Sequence, residues 1–346
     1  QNYKNAKRFY LIEIQMPRLP RRRQMMMVLC GAATLLLLLT ALVHTDTQRY
    51  YSPLRIADKL ATQREQIAEV AAADADTFEP GSDGVCSGRR WPRGVRPLYI
   101  ITPTYPRAEQ IPELTRTGQT LLHVDALVWI VVEDVNKATK AVLHYLKSSG
   151  LCYVYLKARM PVKYQKLKTK PRGVANRNAG LTWIRKHAKR GGVIYFADDD
   201  NTYDRRIFEQ IRGTKKVSMF PVGLVTKLGV SSPVVRDGKV TDFYDGWISN
   251  RKFAVDMAGF AVSVEKFLNS PKAAMPYIAG REETKFLESL NISNIDIEPL
   301  ANNCQEILVW HTRTFKNAPA RPSPKEINIT DSNIQSLLKQ LWNGKR

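Results

Sequence analysis

Three carboxylates stand together in Asp198-Asp199-Asp200, directly after the apolar run Val193–Ala197 and before Asn201-Thr-Tyr203. Adjacent carboxylates repel one another, and each disfavours ionisation of the next unless positive charge intervenes. Mg²⁺ or Mn²⁺ supplies that charge, taking one or two protein carboxylates and completing its shell with phosphate oxygens and water. The same residue types cap helices, and a helix-like segment follows from Asp204, so capping is the alternative. A basic group, Pro171-Arg-Gly-Val-Ala-Asn-Arg-Asn178, offers Arg172 and Arg177, whose guanidinium forks suit a diphosphate. A solvated helix face would use the same two arginines. Trp310-His311-Thr-Arg313 offers a second such clamp, with His311 titrating near neutrality. A third group joins Trp247, Arg251 and Asp256 to Glu282-Glu283. Trp faces stack on sugar rings and carboxylates take protons from hydroxyls. Core packing for Trp247 and first-turn helix acids for the glutamates are the commoner uses.

These residues need elements to hold them. Short apolar runs rich in β-branched and aromatic residues appear at Leu98–Thr102, Leu127–Val132, Tyr153–Leu156, Val193–Ala197 and Val217–Val222. Amphipathic stretches of helical length, Glu109–Leu122, Lys137–Ser148 and Val174–Lys189, separate the first four. Strands alternating with helices predict an α/β fold with a mainly parallel sheet. Ligands gather at the carboxyl ends of such strands. Three of the runs end there in polar punctuation: Thr102-Pro-Thr-Tyr105, Glu133-Asp134 and Asp198–Asp200. From about Pro233 the pattern is less regular, with a helix predicted over Glu282–Leu290 and a strand over Ile307–Trp310. Neither a dinucleotide fingerprint nor a P-loop occurs.

The chain has 346 residues, with 53 Lys+Arg against 32 Asp+Glu and a net charge of +21. Apolar residues at 44% exclude a wholly disordered chain, and four Cys are too few for a disulfide scaffold. Residues 1–24 hold seven basic residues and one acid, a net +6 of that total, which leaves +15 for the rest. The nineteen residues 25–43 carry no charge and span roughly 28 Å as a helix, about the thickness of a bilayer core. Arg18 and Arg21–Arg23 precede them, so the positive-inside rule predicts a cytosolic tail (1–24), a transmembrane signal anchor (25–43) and a lumenal remainder. A cleaved signal peptide is the rival, with a normally shorter apolar region. A lumenal body is not expected to meet nucleic acid. It makes the sequons at Asn291 and Asn328 usable and exposes Cys86, Cys152 and Cys304 to an oxidising medium, where an odd number leaves one unpaired within the chain. In the polar stem, 44–92, Ile56, Leu60, Ile67 and Val70 form a short heptad-like stripe that predicts either a solvated helix or a dimerising one.

Taken together, Thr102-Pro-Thr-Tyr105, Val132-Glu-Asp134, Pro171-Arg-Gly-Val174 with Arg177-Asn178, Tyr195–Tyr203, Pro221–Val225, Val255–Ala261 and Val309–Thr314 resemble the β-1,3-glucuronosyltransferases of the animal Golgi. The likeness covers about residues 97–315, in family order, and the anchor and stem match that family's type II layout. It implies a GT-A-type nucleotide-diphosphate-sugar transferase fold, UDP-glucuronate as donor and Mn²⁺ as cofactor. By position it implies that Pro103, Thr104, Tyr105 and Asp134 hold the uracil side. Arg172 and Arg177 would touch the nucleotide-sugar, Asp198 and Asp199 its ribose and sugar, and Asp200 the metal. His311 and Arg313 would clamp the diphosphate, and Trp247, Arg251 and Asp256 would line an acceptor galactose site. Glu283 aligns with the catalytic base. The family's Arg-Gly before that Glu reads Ala279-Gly280 here, with Arg281 following.

The implied reaction is inverting transfer of glucuronate to O3 of a terminal galactose by a Golgi membrane homodimer. The acceptor expected is the galactosyl-galactosyl-xylosyl linkage of proteoglycans, with N-acetyllactosamine of glycoproteins or glycolipids as the alternative. A GT-A transferase using another UDP-sugar and a non-catalytic binder of acidic glycans are the other readings. The nucleotide-sugar half is expected at 93–232, the acceptor half at 233–318 and a polar tail at 319–346.

Overall fold

The computed structural model describes residues 86, 91, 92, 94–188, 191–247, 251–315 and 330–341. The chain divides into two compact units, 1–75 and 76–346, and every described residue belongs to the second. The expected membrane anchor, the stem stripe and Asn328 lie outside the described residues. Among those described, no helix is long and apolar enough to cross a membrane.

Strands β1 (Leu98–Thr104), β2 (Leu127–Glu133), β3 (Tyr153–Lys157) and β4 (Val193–Phe196) pair in parallel in the order β3-β2-β1-β4. The crossovers carry helices α1 (Gln110–Leu121), α2 (Lys140–Ser148) and α3 (Val174–His187). These are the strands and helices that the apolar runs and amphipathic stretches predict, with ends moved by at most three residues. β1 and β2 are buried on both faces, which is why they read as near-continuous apolar runs. Alternate residues divide between two cores. Tyr99, Ile101, Val128, Ile130, Ile194 and Phe196 pack with α3 on one face. Leu98, Ile100, Trp129, Val131 and Tyr195 pack with α1 and α2 on the other. Each fully buried Leu, Ile or Val there contributes about 1.5–3 kcal/mol.

The predicted strand Val217–Val222 is two strands. β6 (Val217–Met219) extends the first sheet, and β7 (Val222–Val225) enters a second, because Phe220-Pro221 breaks the run. The first sheet is completed by β10 (Phe260–Ser263), antiparallel between β4 and β6, and by β11 (Ile297–Pro299). Six of its seven strands therefore share one direction, and the mainly parallel sheet holds.

The second sheet, in the order β5-β12-β7-β8-β9, comprises β5 (Thr202–Tyr203), β12 (Val309–Trp310), β7, β8 (Gly229–Arg236) and β9 (Lys239–Tyr244). β8 and β9 form an antiparallel hairpin closed by Asp237-Gly238, both with positive φ. Asp-Gly between valine-rich flanks is a strong local hairpin signal, present in a stretch read as irregular. Helices α4 (Arg206–Ile211), α5 (Val264–Leu268), α6 (Glu282–Ser289) and α7 (Asn333–Leu341) complete the set that matters for the site.

Candidate active site

The carboxyl ends of β1, β2 and β4 lie side by side, so Thr104, Glu133-Asp134 and Asp198–Asp200 share one edge of the sheet. β12 brings His311 to this edge from the second sheet. The short 3₁₀ turn Met257–Gly259 before β10 brings Asp256, whose carboxylate caps that turn by accepting from the Ala258 N–H at 3.0 Å.

The three adjacent carboxylates take three different fates. Asp198 pairs with the buried guanidinium of Arg177. Asp199 is buried, accepts from Thr104 Oγ1 at 2.7 Å and pairs with Arg107 Nη2 at 2.8 Å. Burial pushes its pKa up to about 6 against the pull of Arg107 and Thr104, and Asp200 adds to the push. Asp200 has no side-chain partner among the described residues, although Thr312 Oγ1 donates to its backbone carbonyl. Burial and the neighbouring Asp198 raise its pKa, while Arg107 and His311 oppose the rise.

Among the described residues no cluster of three His, Cys, Asp or Glu is set to hold a metal. The donor set that fits a divalent cation is Asp200 alone, completed by a ligand's diphosphate and water, as Mg²⁺ and Mn²⁺ accept. The chemistry of Asp200, a carboxylate not committed to a side chain and destabilised by its neighbours, fits that role.

Arg177 sits in the first turn of α3, which is entered through Gly173, whose φ of 72° only glycine adopts cheaply. A Cβ at Gly173 would stand 2.3 Å from Arg177 Nη1. Arg172, just before it, is exposed, and its carbonyl accepts from Arg177 Nη1 at 3.4 Å. Half-buried Pro103 and exposed Tyr105 end β1, with the Arg107 guanidinium 4.4 Å above the Tyr105 ring. Asp134 accepts from the Met160 N–H at 2.9 Å, while its neighbour Glu133 is consumed by Gln110, Thr139 and Tyr155. Arg313 is exposed beyond β12.

His311 Nδ1 lies 3.1 Å from Asp256 Oδ2. That hydrogen bond raises the imidazole pKa against the effect of burial, and Asp198 and Asp200 support it. Glu283 lies in the first turn of α6, its side chain 19% exposed and its carboxyl 3.9 Å from Arg251 Nη1. Burial is the chief reason its pKa is pushed up to about 7. Asp256 and Glu282 add to the rise, and its own backbone N–H and Arg251 oppose it. Trp247 is 55% exposed, its ring lying against Gly280, where φ is 76° and an added Cβ would meet the indole at 3.1 Å. Gly280 thus carries the chain under the indole and into α6. Asn291 is exposed in a left-handed conformation just beyond α6.

The structure therefore gathers Thr104, Arg177, Asp198, Asp199, Asp200, Asp256, His311 and Glu283, and keeps Tyr105, Arg172, Trp247 and Arg313 as an exposed rim. Two participants were not read from the sequence. Arg107 neutralises Asp199, and Asp245 binds Arg251 at 2.7 Å with both side chains buried. Arg107 lies over ninety positions from Asp199, so no local pattern marks it. Cys86 is joined to Cys152 across 66 positions, and Cys304 is free.

The family model described as Glycosyltransferase family 43 matches residues 117–315. "Galactosylgalactosylxylosylprotein 3-beta-glucuronosyltransferase P" of Drosophila melanogaster is 58% identical over 65% of this chain and 47% of its own length. The S form from the same organism is 52% identical over 70% of this chain and 60% of its own length. "Galactosylgalactosylxylosylprotein 3-beta-glucuronosyltransferase 3" of Mus musculus is 40% identical over 76% of this chain and 83% of its own length. The chain thus spans about half the length of the first of these relatives.

Proposed function

The chain belongs to glycosyltransferase family 43, and we propose that it transfers glucuronate from UDP-glucuronate to O3 of a terminal galactose. The acceptor we assign is the galactosyl-galactosyl-xylosyl linkage region of proteoglycans, the structure written into the names of the relatives. The observation that carries the reading is Glu283: a mostly buried carboxyl at the start of a helix, with a pKa of about 7, beside Asp256 and Arg251. A general base works best when its pKa lies near the operating pH.

In this mechanism of a GT-A-type enzyme, residues 93–232 hold the donor and residues 233–318 the acceptor. Tyr105 and Asp134 take the uracil, with Pro103 and Thr104 shaping its pocket. Asp198 and Asp199 take the ribose and sugar, and Arg172 contacts the nucleotide-sugar. Arg177, already paired to Asp198, presents its remaining N–H groups to the nucleotide-sugar; its buried Nε has no partner among the described residues. Trp247 stacks on the acceptor ring, and Arg251 and Asp256 orient its hydroxyls. Glu283 accepts the proton of the galactose O3 as that oxygen bonds to the anomeric carbon from the face opposite UDP. The bond from that carbon to the diphosphate oxygen breaks, its electron pair leaves with UDP, and the configuration inverts. His311, whose pKa Asp256 raises, and Arg313 stabilise the departing diphosphate. Mn²⁺ held by Asp200, when bound, supplies Lewis-acid stabilisation of that diphosphate.

We place the protein in the Golgi membrane, anchored through residues 25–43, its catalytic body lumenal and dimeric. The Cys86–Cys152 disulfide supports an oxidising compartment, and Asn291 is an exposed sequon there. The test is transfer from UDP-glucuronate to galactosyl-galactosyl-xyloside and N-acetyllactosamine side by side, with and without chelator. Chelator-sensitive transfer mainly to the first is expected, and Glu283→Gln should abolish it while UDP still binds. Transfer mainly to the second would replace the acceptor assignment. Loss of UDP binding together with turnover in the Glu283 variant would make that residue structural.

A further inference from the structure

Arg251 stands between two carboxylates and touches only one. Its Nη2 donates to Asp245 Oδ1 at 2.7 Å, and its Nη1 lies 3.9 Å from Glu283 Oε2, beyond hydrogen-bond range. Arg251 and Asp245 are buried to nearly the same degree, their side chains 5% and 3% exposed. A pair so desolvated is held tightly, because neither charge has water to return to. The same Asp245 Oδ1 accepts the Trp247 N–H at 2.7 Å, so one oxygen fixes both the guanidinium and the backbone under the exposed indole. Arg251 Nη1 donates to the Val255 carbonyl at 3.3 Å, and its buried Nε has no partner among the described residues. The guanidinium is therefore anchored from the side away from Glu283 and short of bonds elsewhere.

We propose that Asp245 is a positioning residue of the transfer site, holding Arg251 so that its guanidinium cannot close on Glu283; this rests on Glu283 being the base. Without the Asp245 charge, the nearest unmatched carboxylate for Arg251 is Glu283, a fraction of an ångström beyond contact. Closing that gap would turn the loose 3.9 Å pairing into a hydrogen-bonded ion pair on the oxygen that must take the acceptor proton, and the base would weaken. Other charged groups that act on Glu283 include Asp256 from the 3₁₀ turn, Glu282 from its own helix and Arg177 from α3. Both carboxylates oppose its ionisation, and Arg177 is already committed to Asp198. Arg251 is thus a cation poised just beyond contact with Glu283, and Asp245 holds it there. The arrangement also explains a buried charge beside Trp247: its counterpart is an arginine of the acceptor site.

The decisive measurement is the titration of the Glu283 carboxyl by NMR in protein labelled with ¹³C-glutamate, its resonance assigned from its absence in Glu283→Gln. Asp245→Asn keeps the shape and the accepting oxygen and removes the charge. It is expected to lower the Glu283 midpoint by about one pH unit or more, the effect of an opposite charge brought into contact. At saturating substrates the acidic limb of kcat should move down with it and the plateau should fall, while the donor KM stays unchanged. In Asp245→Asn/Arg251→Met the midpoint should return to the parent value or above. That double variant also removes the unpaired buried arginine, which protects the test against misfolding of the single one. An unmoved midpoint in Asp245→Asn, or a shift that persists in the double variant, overturns the proposal. Undiminished turnover by Glu283→Gln would instead remove the base assignment, a result the NMR midpoints do not depend on.

Discussion

Replacing Asp256 by Asn is expected to move both limbs of the pH–rate profile towards acid, by unequal amounts. Asp256 divides its oxygens: Oδ1 caps the turn through the Ala258 N–H at 3.0 Å, and Oδ2 faces His311 Nδ1 at 3.1 Å. Its charge also reaches Glu283. A base works ionised, so turnover rises with pH through the Glu283 pKa and falls as His311 loses its proton. The hydrogen bond from Asp256 is the leading cause of the raised His311 pKa. For Glu283, burial leads and Asp256 is a lesser contributor to the value of about 7. A charged contact near 3 Å typically shifts a pKa by about 1–3 units, and a more distant charge does less. The basic limb should therefore fall by about one unit or more and the acidic limb by a fraction of that. The bell narrows, its maximum moves to lower pH, and its height drops. Asparagine retains an oxygen for the cap, so the fold should survive. The assay is kcat against pH at saturating donor and acceptor and constant ionic strength. Limbs that move apart, or a basic limb that stays in place, would refute the idea that Asp256 holds His311 charged.

Glu283→Gln should stabilise the fold in alkali even as it abolishes transfer. A carboxyl whose pKa rises from 4.5 to about 7 on folding contributes stability that is complete below the unfolded pKa and is lost as pH climbs through the folded one. Glutamine avoids that loss, so urea midpoints at pH 8 should favour the variant by up to about 3 kcal/mol. The gap should close below about pH 4.5; a gap independent of pH would contradict the burial of the charge. Removing both Cys86 and Cys152 as alanines should cost about 4 kcal/mol from the 66-position loop they close, read as a lower urea midpoint that an intact disulfide would otherwise hold. Thr104→Val keeps the shape but deletes the 2.7 Å donor to Asp199. About 1.5–3 kcal/mol of stability should go with it, together with UDP affinity measured by calorimetry, and unchanged binding would separate Asp199 from the nucleotide.

Much of the architecture was legible because it is written in local periodicity. The runs at 98–104, 127–133 and 193–196 are apolar on both faces because helices cover both sides of a parallel sheet. Their polar ends mark the binding edge, since parallel strands in register must finish together. Types alone therefore nominated Asp198–Asp200, and the family resemblance nominated Glu283. The second sheet was less visible: β5, β7 and β12 are two to four residues long, too short to show a period, and only Asp237-Gly238 announced its hairpin. Which carboxylate does what was not in the sequence at all. Asp198, Asp199 and Asp200 are chemically identical neighbours. Arg177 takes the first, and Thr104 and Arg107 take the second, from positions 21 to 95 residues away, which leaves the third without a side-chain partner among the described residues. The same holds for Glu282 and Glu283, of which burial beside Asp256 sets Glu283 near neutrality, and for Arg251, which Asp245 grips from six positions away. Residue type and spacing fix what chemistry is available. Burial and the charge placed opposite fix which atom performs it, because both depend on distances that only the folded chain creates.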